Sequence, residues 1–131
     1  MDVRRTGGAT FVGRNGRGAE VRIGPESAAG VFTPGELLLV AAAACAGVTA
    51  ESLIVRRLGP DVDVTVTADR TKESPDAHEF ATIDTVLQVD MTPLAAEQRT
   101  ALADAVRRAV ERYCTVSRTV ENGAPVTLEI P

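Results

Sequence analysis

The chemistry available to this chain rests on its two cysteines. Cys45 lies within the uncharged, alanine-rich run from Leu37 to Ala50, and Cys114 opens the run Cys114-Thr115-Val116-Ser117-Arg118-Thr119-Val120. The 131 residues contain no other cysteine and few aromatics, three Phe and one Tyr, so the pair points to thiol redox chemistry. An attacking cysteine must be a thiolate, and mid-helix Cys45 lies too far along for the N-terminal dipole to help. An arginine within about 4–6 Å would favour the charged form. Arg14, flanked by glycines in Gly13-Arg14-Asn15-Gly16, is the candidate, with Arg17 second. Cys114 then becomes a resolving thiol that condenses with a sulfenic acid on Cys45 and protects it from further oxidation. That requires Cα atoms within about 7 Å. Ser117 either donates to a sulfur or caps the turn that follows. The alternative for Cys45 is a small hydrophobe packed in an apolar helix.

Other chemistries are poorly supplied. With one histidine, His78, and no Cys-x-x-Cys pair, a zinc site is not expected, and His78 beside Glu79 reads as a solvated loop residue. No cofactor is called for. A net charge of −4 argues against nucleic acid, which demands a basic face. No secretory signal is apparent in Met1 to Gly8, so the expected compartment is the cytoplasm, where a transient disulfide is more plausible than a structural one. The charge-free stretch from Leu37 to Ala50 is shorter than the roughly 20 apolar residues of a bilayer span and reads as a core helix. No membrane partner is expected.

These residues must be held by a small set of elements. Residues 9–12 and 19–23 read as two strands joined through Gly13-Arg14-Asn15-Gly16, since Asn-Gly between apolar runs is a strong hairpin signal. A loop follows to Thr33, with a short strand near Val31. Thr33 as N-cap, Pro34 at the first position and Glu36 in the dipole-favoured first turn start a helix, which runs to about Arg57 and is stopped by Gly59-Pro60. Val62, Val64 and Val66 alternate with polar residues as a half-buried strand. A polar turn from Thr71 to His78 leads to a strand from Phe80 to Met91. Thr92-Pro93 repeats the cap-plus-proline start, and an amphipathic helix runs to Tyr113. Val126 to Ile130 alternates as a last strand.

The order is that of a single α+β domain over residues 1–131, with a mainly antiparallel sheet. The first helix is apolar on every face, more than one short chain can cover, which predicts a two-fold homodimer.

With these elements in place, the chain resembles the OsmC/Ohr family of thiol peroxidases, closest to its OsmC-like branch. The matching residues are Thr33-Pro34-Gly35-Glu36-Leu37-Leu38-Leu39 leading through alanines to Cys45, and Cys114-Thr115-Val116-Ser117-Arg118-Thr119-Val120. The second is similar to the family's Cys-Pro-Val-Ser-x-Thr-Leu run. The resemblance implies an intertwined homodimer with two central helices and active sites at the subunit interface. It implies reduction of organic hydroperoxides in oxidative-stress defence, Cys45 attacking and Cys114 resolving, with electrons from a lipoyl-type or other dithiol. Arg14 matches the arginine of the family's Gly-Arg-x-Gly turn. Thr115 stands where the family usually has proline. The hydroperoxidases place an arginine-orienting glutamate ten residues before the cysteine, which here is Gly35, with Glu36 beside it as the candidate carboxylate. The alternative function is a non-catalytic dimer binding a small apolar molecule in the interhelical cleft.

Overall fold

The computed structural model describes residues 1–131 as two units, residues 1–40 and residues 41–131. The fold is α+β, with antiparallel sheets and three helices. In the first unit β1 (Asp2–Gly7), β2 (Thr10–Arg14) and β3 (Glu20–Ile23) form an antiparallel sheet in chain order. The β2–β3 hairpin pairs Phe11 with Ile23 and Arg14 with Glu20. Gly13 and Arg14 therefore belong to the strand, and the connection shifts to Asn15–Ala19. A tight Asn-Gly turn does not form. Asn15 keeps negative φ, and its Oδ1 accepts the N–H groups of Arg17 and Ala19 at 2.9 and 3.0 Å. Gly18, at φ 88°, makes the left-handed step.

Strand β1 replaces what the sequence presents as a polar lead-in. Its residues from Asp2 to Thr6 are all exposed, so no buried alternation marks them. The backbone ladder to β2 holds the strand, and the Gly7-Gly8 corner turns it, Gly8 at φ 53°. The expected short strand near Val31 is a single parallel bridge between Ile23 and Phe32.

Helix α1 (Pro34–Leu58) opens on a reciprocal capping box. Thr33 Oγ1 accepts the Glu36 N–H at 3.2 Å, and the Glu36 carboxylate accepts the Thr33 N–H at 2.8 Å. Gly59, at φ 94°, closes the other end, its N–H donating to Val55 O at 2.8 Å. The buried stripe is Leu39, Ala42, Ala46, Ala50 and Ile54, at helical spacing. The other faces are not covered: Leu38 is 39% exposed, Val40 46% and Val48 80%. With 25 residues, α1 is long and apolar enough to cross a membrane by length and composition. Its C-terminal half nevertheless behaves as a core helix, with Ala50 and Ile54 fully buried.

The second unit packs that half of α1 with β4 (Val64–Thr71), β5 (Thr82–Val89) and α2 (Ala96–Tyr113). The strands form an antiparallel hairpin in register from Val64↔Val89 to Thr71↔Thr82. Ala50, Ile54 and Leu102 make the core, with Leu87, Val89 and Val106 against it. A Cβ on Gly47 would approach Val66 Cγ2 at 3.2 Å, so this glycine lets helix and sheet meet closely. Helix α2 starts at Ala96, later than Thr92-Pro93 suggests. Asp90 Oδ1 accepts the Thr92 N–H at 2.9 Å, committing those residues to a turn, and Gln98 Oε1 instead receives the Ala95 N–H at 3.0 Å.

Two differences lie beyond Tyr113. Residues Thr115–Glu121 form a short helix, α3, which sequence alternation did not announce. The expected strand from Val126 to Ile130 is absent from the single chain, where these residues have no regular structure. A strand needs a ladder partner for its backbone groups. The segment has none, and Val126, Leu128 and Ile130 are 85–95% exposed.

Candidate functional site

Cys114 is the hinge between two helices. Its N–H completes α2 by donating to Val110 O, and its carbonyl opens α3 by accepting the Arg118 N–H, both at 3.0 Å. Thr115 is the first residue of α3, so the helix forms without the proline that the motif usually carries there. Cys114 is fully buried, whereas Cys45, in α1, is half-buried. Both are free thiols.

The Cys45 side chain neighbours Cys114 and acts on its thiol. Ser117 Oγ lies 3.2 Å from Cys114 Sγ. Burial, the largest single influence, pushes the Cys114 thiol up. Cys45, the Ser117 hydroxyl and the backbone N–H groups of Ser117 and Val116 together outweigh it. The result is a thiol held below its ordinary range. The lowering is therefore the work of dipoles converging on one sulfur.

The remaining sequence candidates have other company. Arg14 ends β2 and forms an ion pair through Nε with Glu20, its cross-strand neighbour. The hydrogen bond and charge of Glu20 raise the guanidinium further above its ordinary value. Arg17 lies in the Asn15–Ala19 loop, with its N–H on Asn15. The Glu36 carboxylate serves the capping box of α1. His78 is exposed in the loop between β4 and β5. No group of three or more His, Cys, Asp or Glu residues converges as a metal site would require.

The structure adds three groups to the sequence candidates. Glu20 is legible only through strand register, because nothing in its local sequence marks it as the partner of Arg14. The amides of Val116 and Ser117 become donors only once α3 forms. An apolar cavity of about 320 Å³ also lies between α1, β5 and α2, with Ala46, Ile54, Leu87, Leu102, Val106 and Val110 among its walls. No single sequence motif encodes it.

Comparison with known proteins gives these features a context. Residues 26–129 match the family model described as OsmC-like protein. Uncharacterised proteins from Mycobacterium tuberculosis and Mycobacterium bovis are each 41% identical over 132 aligned positions, covering 98% of this chain and 93% of theirs. A solved structural-genomics structure superposes with a TM-score of 0.75 at 26% identity, covering 96% of this chain and 92% of its own. The crystal structure of a hypothetical protein from Aquifex aeolicus shares the fold at a TM-score of 0.60 and 23% identity, covering 93% and 86%.

Proposed function

Because this chain belongs to the OsmC-like family, we propose that it reduces organic hydroperoxides through a two-thiol cycle. The Cys45 thiolate attacks a peroxide oxygen, forming an S–O bond as the O–O bond breaks. The alkoxide leaves and takes a proton from solvent, and Cys45 remains as a sulfenic acid. The Cys114 thiolate attacks that sulfur, an S–S bond forms, and hydroxide departs. A dithiol reductant, lipoyl-type or another, then exchanges twice with the disulfide, becoming oxidised itself and restoring both thiols.

The observation that carries this reading is the approach of the two free thiols, with Cys114 held below its ordinary pKa by hydrogen bonds. Arg14 is assigned the positive charge for the Cys45 thiolate on its match to the arginine of the family's Gly-Arg-x-Gly sequence. Glu36 is left to the helix cap. A cycle that must be re-reduced suits the cytoplasm.

The active form in this reading is a homodimer. The uncovered apolar residues of α1 and the unpaired tail support it, because single chains rarely leave such surface to water. The test is consumption of cumene hydroperoxide with dihydrolipoamide as reductant. Turnover that requires Cys45 bears the proposal out. No turnover by fully reduced protein, with Cys45 inert to alkylation at neutral pH, rejects it.

The cavity between α1, β5 and α2 favours a second reading, a dimer that binds a small apolar molecule without turning it over. Its volume is at the low end of ligand pockets, which begin at about 300 Å³. Saturable thermal stabilisation by a short-chain aliphatic ligand, without peroxide consumption, would distinguish it.

A further inference from the structure

We propose that Ser117 is the positioning residue of the thiol pair, its hydroxyl holding Cys114 Sγ in place to attack the sulfenic sulfur of Cys45. The proposal rests on the two-thiol reading and extends it to a residue outside the thiols and Arg14.

The hydroxyl behaves unlike others on these helices. Thr49 donates to the Cys45 carbonyl at 2.7 Å and Thr100 to the Ala96 carbonyl at 3.2 Å, the usual bond four residues back. Ser117 bonds instead to the sulfur three residues back, at 3.2 Å. The Cys114 backbone is already fixed, its N–H on Val110 and its carbonyl on Arg118. Rotation about χ1 is the freedom that remains to the side chain, and the Ser117 hydroxyl restrains it. Holding a nucleophile in one rotamer raises its effective concentration against a fixed electrophile.

The direction of the bond also suits the reaction. A thiolate only accepts, so the Ser117 O–H donates when Cys114 is ionised. The burial that opposes ionisation of Cys114 is offset by Cys45, Ser117 and the Val116 amide, with no charged side chain involved. In the resolving step the Cys114 sulfur supplies the electron pair of the new S–S bond. The S–O bond of the sulfenic acid breaks, and hydroxide leaves and is protonated by solvent. Ser117 is not consumed.

The experiment follows disulfide closure in the full-length protein, Ser117→Ala and Ser117→Thr. Closure is driven separately by cumene hydroperoxide and by diamide, a thiol oxidant that needs no peroxidase activity. Ser117→Ala should slow diamide-driven closure about tenfold, the lower end for losing a hydrogen bond to a charged group. Ser117→Thr, which keeps the hydroxyl, should restore it. Ultraviolet thiolate absorbance of Cys114, followed against pH in a Cys45→Ala background, should move to higher pH in Ser117→Ala and stay in place in Ser117→Thr. Closure at the original rate in Ser117→Ala, or equal slowing in both variants, overturns the proposal. Failure of the peroxide arm alone, with the diamide arm as expected, counts against the peroxidase reading and leaves the role of Ser117 standing.

Discussion

Helices α1 and α3 begin with the same spacing and use it for opposite ends. In α1 the cap and third helical residues are Thr33 and Glu36; in α3 they are Cys114 and Ser117. The first pair closes on itself, side chain to backbone in both directions. In the second, the Cys114 N–H is already taken by Val110, so the Ser117 side chain turns to the cap's sulfur. One arrangement stabilises a helix end. The other leaves a sulfur surrounded by donors, a state that favours its anion. The difference lies in the cap atom: a hydroxyl oxygen completes a cap, whereas a sulfur so placed is an ionisable thiol, the resolving nucleophile of the proposed cycle.

The largest expected effect comes from removing that nucleophile. Cys114→Ser should abolish reductant-dependent turnover and leave Cys45 open to further oxidation, visible as added oxygen mass after peroxide treatment. Cys45→Ser should abolish turnover without that mass. If Cys114→Ser turns over as the unmodified protein does, α3 is only another helix start.

A smaller effect is expected at the hairpin. On the proposed assignment, Arg14→Ala should slow Cys45 alkylation at neutral pH about tenfold or more, as loss of an opposite charge would. Arg17→Ala should change it little. Equal effects would show a diffuse field and sharpen the contrast, because all local control of the thiols would then lie at α3.

Much of this contrast was readable from the residues. The α1 start was marked by Thr33-Pro34 with Glu36, and its stop by Gly59-Pro60. The β4–β5 hairpin and the end of α2 at Tyr113 followed from periodicity. Helix α3 did not. Its seven residues are too few to show a helical period, and Thr115, Val116, Thr119 and Val120 are β-branched. Strand β1 was hidden because a fully exposed strand needs no alternation. The tail shows the reverse failure: Val126, Leu128 and Ile130 alternate as a strand does, but alternation supplies a face and not a pairing edge. At the site, the rarity of cysteine exposed both thiols to inspection. Glu20 stayed invisible because its role depends on the register of Arg14 across the sheet.

The α1 cap should give a modest and purely structural effect. Thr33→Ala should cost about 1 kcal/mol. For a chain of this length that is a drop of about 3–5 °C in Tm. Diamide-driven closure and Cys114 ionisation should not change. A thiol effect from Thr33→Ala would erase the distinction between the two helix starts.

The smallest expected effect is a pH dependence of stability, and its sign follows from the Cys114 environment. The folded protein holds this thiol below its ordinary value, whereas the unfolded chain returns it to that value. Between the two values the unfolded state binds more protons, so stability of the reduced protein rises with pH across that window. The contribution is complete above the ordinary thiol value and is lost as pH falls through the depressed one. Denaturant unfolding of the reduced protein should show this rise in the alkaline range. Ser117→Ala should flatten it, and Cys114→Ser should remove it. Asp90 provides an internal control, because its carboxyl is held below the usual range by the Thr92 N–H and hydroxyl. Its contribution is present above the unfolded carboxylate value and is lost only in acid, well separated from the thiol window. An alkaline rise that survives Cys114→Ser would assign the slope to other groups and leave the α3 cap without a thermodynamic signature.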